Sequence, residues 1–337
     1  MSLHAASGAR ARGGTRALRI TLCALLLTTL GGCGLLGATE ASSFSDGTLE
    51  KPRIKVALLP ASDLVPLRLA QETGLFRAEG LEVEAVEAAS GQASMTQMIG
   101  GDVDIAFSSY MPFFIAQSKH VADIRVVADS SSASPKSNAV VTVPASPVKT
   151  IQDLAGKRIA ITDMNTASHL LTMSVMADHG VDTSGVQWVT LPFPNIAKAL
   201  ANGQVDAAFL TEPFLTQAAL VAGAVPVVDI STGATQDFPL TGFAALGRFV
   251  TENPKTLAAF QRALSKAVRD SADRSKVEPL LVRHAKIDPE TAALTNLPTY
   301  GARVDARRLQ RVPDLLLRTG VLKTALEAGP MLAPQAG

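Results

Sequence analysis

Along this chain, short runs with apolar residues at every second position, or continuously apolar, alternate with longer runs whose apolar positions recur every three or four residues. That pattern predicts strands interleaved with helices, an α/β chain. Arg53 to Leu59 (RIKVALL) starts as an alternation, becomes wholly apolar and ends at Pro60, as a strand entering a core does. Ser62 or Asp63 is placed to cap a helix that runs through Ala70 and stops at Thr73-Gly74. Leu81 to Val86 (LEVEAV) alternates again, a second strand. Gln92 to Ile99 has helical spacing, and Gly100-Gly101 ends it, because glycine reaches left-handed backbone without a Cβ clash. Further strands are expected over Ile124–Ala128, Ala139–Val143, Arg158–Ile161 and Val186–Leu191, and a helix over Ser168–Asp178. After Val225–Asp229, Leu240 to Leu246 reads as a return strand, and beyond it the pattern is helical. Asn253-Pro254 opens a helix with Leu257, Phe260, Leu264 and Val268 on one face, and Asp288-Pro289 opens another.

One phrase occurs twice. GDVDIAF at residues 101–107 returns as GQVDAAF at residues 203–209, with five of seven positions identical. Each copy follows a helix that ends in glycine, forms a strand (Val103–Phe107, Val205–Phe209), and breaks into a polar loop leading through a proline, Pro112 or Pro213, into the next helix. Strand, polar loop and helix start are how an open parallel sheet presents groups to a ligand at the carboxyl ends of its strands. Two copies imply two similar lobes. Lobe 1 is expected to comprise residues 51–141 plus 240–337 and lobe 2 residues 142–239, with chain crossings near residues 140 and 240 and a break at Pro144 to Pro147.

Composition narrows the class. A chain of 337 residues with 47% hydrophobic and 18% charged residues buries a substantial core. The formal charge of +1 hides an uneven start: Arg10, Arg12, Arg16 and Arg19 lie in a first stretch of 32 residues that has no acid. Removing those four from the 31 basic residues leaves 27 against 30 acidic ones, a body of charge −3 with no electrostatic call for nucleic acid. The basic start runs into the uncharged stretch Ile20 to Leu30, too short to span a bilayer and of signal-peptide length. Residues 1–32 are therefore expected to be an export signal. Leu30-Gly31-Gly32-Cys33 resembles the lipobox of bacterial lipoproteins, which implies lipidation of Cys33 and a flexible tether over residues 33–50. Cys23 would leave with the signal, so the mature body holds no free thiol for a disulfide, a thiolate metal site or a nucleophile.

The run from Ile54 to Pro112 resembles the solute-binding lipoproteins of ABC importers in the nitrate, sulfonate, taurine and thiamin-pyrimidine group. The signature is carried by Ala70, Gly74-Leu75-Phe76 and Glu79-Gly80-Leu81, then Gly91 and Gly101-Asp-Val-Asp104, and the likeness continues through Leu154–Ala160, Glu212-Pro213-Phe214 and Asn253-Pro254. The resemblance implies the two-lobe type II periplasmic-binding-protein fold, with two open mixed sheets flanked by helices and joined by a two-strand hinge. It also implies a membrane-anchored monomer facing outward that closes on a small solute and presents it to permease subunits. A pyrimidine-forming enzyme of the same fold is the competing class. The cysteine-rich segment such enzymes carry is lacking, His120, His169, His179 and His284 have no metal-ligand spacing, and no nucleophile elbow, P-loop or dinucleotide fingerprint occurs. No cofactor, metal or catalytic residue is expected. A sensor lobe that docks on a membrane kinase shares the binding physics and stays open.

Candidate ligand contacts follow from position. Gly91-Gln92 stands where the second strand hands over to a helix; Ser108, Ser109 and Tyr110 follow the first repeated strand. Asn165, Thr166, Ser168 and His169 lie in the second lobe's loop, which lacks the glycine common there in the family, so side chains rather than backbone are expected to reach the ligand. Asn138, Ser62 and Asp63 complete the set, the last two with a capping role as the alternative. Glu212, expected at the cleft mouth, would repel a bare oxyanion and accept an ammonium or ring N–H, so a taurine-like sulfonate or a thiamin-pyrimidine-like heterocycle fits better than nitrate. With 4% aromatic residues, only Tyr110, Phe113 and Phe193 are placed to sandwich a flat ligand. Replacing Cys33 with alanine is expected to release the protein from membranes, scored by fractionation; retention in the membrane pellet would reject the anchor.

Overall fold

The computed structural model describes residues 48–336. The expected signal peptide, Cys33 and the tether as far as residue 47 lie outside the described residues. Strands, in chain order, are β1 (Arg53–Leu58), β2 (Glu82–Glu87), β3 (Ile105–Ser109), β4 (Ile124–Ser132), β5 (Asn138–Thr142), β6 (Arg158–Ile161), β7 (Gln187–Thr190), β8 (Ala207–Thr211), β9 (Val225–Asp229), β10 (Pro239–Leu246) and β11 (Thr299–Tyr300). They form a six-stranded sheet of order β11-β4-β10-β3-β1-β2 and a five-stranded sheet of order β7-β6-β8-β5-β9. Both are mixed. β1 runs parallel to β2 and β3, β6 runs parallel to β7 and β8, and one antiparallel strand follows in each sheet, β10 on β3 and β5 on β8.

The two sheets share one plan, with β1, β2, β3, β10 and β4 matching β6, β7, β8, β5 and β9. Their antiparallel strands are exchanged: β5 follows β4 in sequence yet pairs with β8 and β9, and β10 follows β9 yet pairs with β3 and β4. The chain therefore crosses between sheets over residues 133–137 and again over residues 230–238. The first crossing precedes the expected break after residue 141, because Asn138 to Val141 are already in register with Thr211 to Ala208.

The repeated phrase has a structural half and a facing half. Asp104 and Asp206 each close one end of a parallel pair. The Asp104 N–H donates to the Lys55 carbonyl at 2.9 Å while its Oδ2 accepts the Lys55 N–H at 2.9 Å. Asp206 does the same to Arg158, N–H to carbonyl at 2.8 Å and Oδ2 from N–H at 2.9 Å, and its Oδ1 also meets the Arg158 guanidinium at 2.7 Å. Each aspartate thus spends its backbone and side chain on binding the neighbouring strand. β3 and β8 begin at Ile105 and Ala207, two residues later than the spacing suggests. Ser62 and Asp63 do not cap the first helix either; they form a single tight turn, and the helix starts at Val65 with Pro66 in its first turn.

Apolar faces close the core. Helix Pro254–Asp270 lays Leu257, Phe260 and Leu264 against the six-stranded sheet, and Phe260 stacks on Phe76 at 5.5 Å and meets Phe243 of β10 edge-on at 5.7 Å. Val268, expected on that face, is only half-buried. Asp206→Ala removes a hydrogen bond to a backbone amide and an ion pair, so it is expected to lower unfolding free energy by about 1–3 kcal/mol, read by chemical denaturation, and Asp104→Ala to behave alike. A change within error for both would show that the clamps contribute nothing.

Candidate functional site

A cavity of about 60 Å³ lies where the two sheets face each other, at the carboxyl ends of β1, β3, β6 and β8. Both copies of the repeated phrase reach it: Phe107, Ser108 and Ser109 from β3, and Phe209 and Thr211 from β8. The antiparallel register supplies their neighbours, since Ser109 stands opposite Thr241 and Thr211 opposite Asn138, and all four line the wall. Asp63, Gly91, Thr162, Thr166 and Ser168 complete its polar lining.

Three helices begin there. Helix Gly91–Gly100 is capped by Ser90, whose Oγ accepts from the Ala93 N–H at 3.1 Å. Helix Tyr110–Ser118 starts directly after β3 without a side-chain cap. Helix Ala167–Asp178 receives its cap from the other sheet's strand, the Ala167 N–H donating to Ser109 Oγ at 3.2 Å. Helix N-termini carry partial positive charge and unpaired N–H groups, so their convergence favours an anion. Thr162, Thr166 and Ser168 join hydroxyls, with Ser168 Oγ 2.9 Å from each threonine Oγ1. Ser108 is fully buried and its Oγ has no hydrogen-bond partner among the described residues. Gly91 is there for space: a Cβ on it would lie 2.2 Å from that Oγ. No lysine or arginine among the described residues lines the wall.

Of the residues expected at the ligand, Asp63, Gly91, Ser108, Ser109, Asn138, Thr166 and Ser168 meet in this cavity, and Ser62, Gln92, Tyr110, Asn165, His169 and Glu212 do not. The Glu212 expectation is corrected most. Its side chain is 0% exposed, accepting from Thr216 N at 3.1 Å and Oγ1 at 2.8 Å, and from Asn296 N at 3.0 Å and Nδ2 at 3.2 Å. It satisfies the open first turn of helix Phe214–Ala222, and burial pushes its carboxyl up. Ser62 is tied to the same place, Oγ donating to the Glu212 carbonyl at 2.7 Å. Asn165 is exposed and takes the left-handed conformation (φ 60°) that the missing glycine would have taken. Its N–H donates to His169 Nδ1 at 3.1 Å, leaving that ring edge-on against Trp188 at 4.7 Å between centroids. Tyr110 is buried in the core, its hydroxyl donating to Asp129 Oδ1 at 2.6 Å, and Phe113 is buried with it; of the expected sandwich only Phe193 reaches the cavity. Gln92 is half-buried in the first turn of its helix, off the wall. Thr162, Thr211 and Thr241 were not among the expected contacts; Thr162 and Thr211 lie at strand ends, but Thr241 is placed only by its register with Ser109.

Residues 61–275 match the family model described as "NMT1/THI5 like". The chain belongs to the NMT1/THI5-like family. The matched residues of this family member include every polar side chain on the cavity wall. A Bacillus subtilis (strain 168) protein named "Putative aliphatic sulfonates-binding protein" is 27% identical over 244 residues, 71% of this chain and 69% of that protein. The taurine-binding periplasmic protein of Escherichia coli K12 is 27% identical over 162 residues, 48% of this chain and 49% of its own length. In three dimensions this NMT1/THI5-like chain is similar to the alkanesulfonate-binding protein SsuA of Xanthomonas axonopodis pv. citri bound to MOPS, with TM-score 0.75 and 21% identity over 86% of this chain and all of that one. The nitrate-binding NrtA of Synechocystis PCC 6803 gives TM-score 0.72 at 15% identity, over 82% and 84%. The likeness in structure establishes the two-lobe periplasmic-binding-protein fold.

Two buried groups beside this architecture titrate in opposite senses. Burial lowers His169 from 6.5 to about 4, so acidification through that window protonates the unfolded chain first and costs stability. Burial raises Asp129 from 3.8 to about 6, so the folded chain holds a proton that the unfolded chain releases, and stability falls as pH rises through that window. Each effect is on the order of 3 kcal/mol at full extent. On going from pH 7 to pH 4.5, His169→Gln is expected to lose less stability than the wild type and Asp129→Asn to lose more; three parallel denaturation profiles would reject both assignments.

Proposed function

We propose that this protein is the extracytoplasmic solute-binding component of an ABC importer and that it captures a small sulfonate between two closing lobes. The lobes are the two sheets with their helices, and the crossings at residues 133–137 and 230–238 act as the hinge. The observation that carries the reading is the cavity shared by both repeated strand tips, where three helix starts and the Ser108 hydroxyl converge, with neither a partner for that hydroxyl nor a basic side chain on the wall among the described residues. A sulfonate has a spread charge and three acceptor oxygens, which suits many directional donors better than one counter-ion. The names of the relatives, aliphatic sulfonates, alkanesulfonate and taurine, point the same way. A cavity of about 60 Å³ favours a compact solute over a thiamin-pyrimidine-like heterocycle.

Bonds that span the cleft describe the lobes together. Ser90 Oγ donates to Asp163 Oδ2 at 3.0 Å, and the Ala167 N–H meets Ser109. Solute entry opens these bonds about the hinge and closure remakes them, and the closed face is what a permease reads. Binding without bond chemistry is the role, and lipid on Cys33 holds the protein at the outer face of the membrane. In a panel of sulfonates (taurine included), nitrate and pyrimidines, sulfonates are expected to raise the melting temperature by selective binding to the folded state. Ser108→Ala should weaken the best of them about 10- to 100-fold by calorimetry with the ligand-free melting temperature unchanged, because the lost bond is to a charged group and no protein partner is disturbed. No shift with any sulfonate would overturn the reading.

A further inference from the structure

We propose that Asp63 selects the solute: the cavity takes a small zwitterion whose ammonium meets Asp63 while its sulfonate meets the helix starts and Ser108. This rests on the solute-binding reading above and narrows it from sulfonates to aminosulfonates. Asp63 is 4% exposed and stands on the cavity wall just past the end of β1. Its position is fixed from two other strands. Ser131 of β4 donates its hydroxyl to Asp63 Oδ1, Thr241 of β10 donates to the same oxygen at 3.3 Å, and the Asp63 carbonyl accepts from Ser130 Oγ at 2.9 Å. These bonds hold the carboxyl on the wall.

Among the described residues nothing neutralises it. No ion pair reaches Asp63 among the described residues. The charged and titratable groups of the elements packed around it are committed or of the wrong sign. Asp129 of β4 is another acid, bonded to Tyr110. Tyr300 of β11 donates its hydroxyl to the Ser62 carbonyl at 3.0 Å. Arg308 is taken by Asp237 and Ser132, and Arg274 by Glu278 and the carbonyls of Ala292, Ala293 and Thr295. Burial pushes the Asp63 carboxyl up, as expected of an acid short of a counter-charge.

A buried ionised carboxylate without a partner is unfavourable, and a cation placed against it removes that penalty and gains a charge-assisted hydrogen bond. An alkanesulfonate would set a methyl there and gain neither. The role first given to Glu212 in the sequence, accepting an N–H-bearing group, is thereby carried by Asp63, the acid that faces the cavity.

The test is titration calorimetry at pH 7 of the mature chain with taurine, ethanesulfonate and 2-hydroxyethanesulfonate, repeated on Asp63→Asn and Asp63→Ser. The wild type is expected to bind taurine on the order of tenfold or more tighter than the two uncharged-tail sulfonates, a reading that needs no variant. Whichever variant keeps a cooperative melt should lose that preference by weakening taurine while leaving ethanesulfonate within about threefold. Equal wild-type affinities, or a preference that survives in the variants, would overturn the role of Asp63 while leaving the sulfonate reading intact; the second result would mean that Asp63 acts as a neutral hydrogen-bond donor or only as a structural group. Failure of the wild type to bind any sulfonate would overturn both.

Discussion

The exchange of two antiparallel strands is the constraint on which the rest of this molecule depends. β5 and β10 are each added to the sheet opposite the one that precedes them, and each lies against the strand carrying a copy of the repeated phrase. Backbone pairing is directional and its register is set residue by residue, so Thr241 must stand beside Ser109 and Asn138 beside Thr211. Because the exchanged strands also carry the chain between sheets, the two polar strand ends are brought to one cavity by the same bonds that leave two short crossings able to bend. The cavity wall and the inter-sheet crossings thus share their covalent and hydrogen-bonded parts.

The electrostatics of the cavity follow from that arrangement. Three helix starts bring unpaired N–H groups and partial positive charge, hydroxyls bring adaptable donors, and among the described residues a single buried acid stands on the wall with no base beside it. Such a site gains selectivity from what it leaves uncompensated. Among the described residues Ser108 Oγ has no partner and Asp63 no ion pair, and under the proposed reading a solute that supplies both is favoured over one that supplies neither. Glu212 is an informative contrast, since it is equally buried but already satisfied by Thr216 and Asn296.

The glycine and aspartate of the repeated phrase belong to the fold rather than to the ligand. Gly101 and Gly203 adopt positive φ, 87° and 65°, where the helix must stop, and Asp104 and Asp206 bind the neighbouring strand by amide and carboxylate together. Past the shared Phe107 and Phe209, which both line the cavity, the copies differ: Ser108 and Ser109 reach it from one strand and Thr211 from the other, with Leu210 turned into the core.

Much of this was legible in the one-dimensional pattern. Period-two and helical runs located nearly all the strands and the long helix from Pro254, because burial of one face dictates spacing wherever an element meets a core. The repeat and the glycine stops announced two similar lobes, and polar loops after apolar strands pointed to Asp63, Gly91, Ser108, Ser109 and Thr166. Only the tertiary structure decided which polar residues face the cavity. Tyr110, His169 and Glu212 have the chemistry of a site yet turn toward Asp129, Trp188 and Asn296, while Thr241 becomes a wall residue through pairing with a strand more than a hundred residues away. Local sequence specifies where a chain turns polar; whether that polarity is spent inside the protein or left facing a cavity depends on partners far along the chain, which no local pattern records.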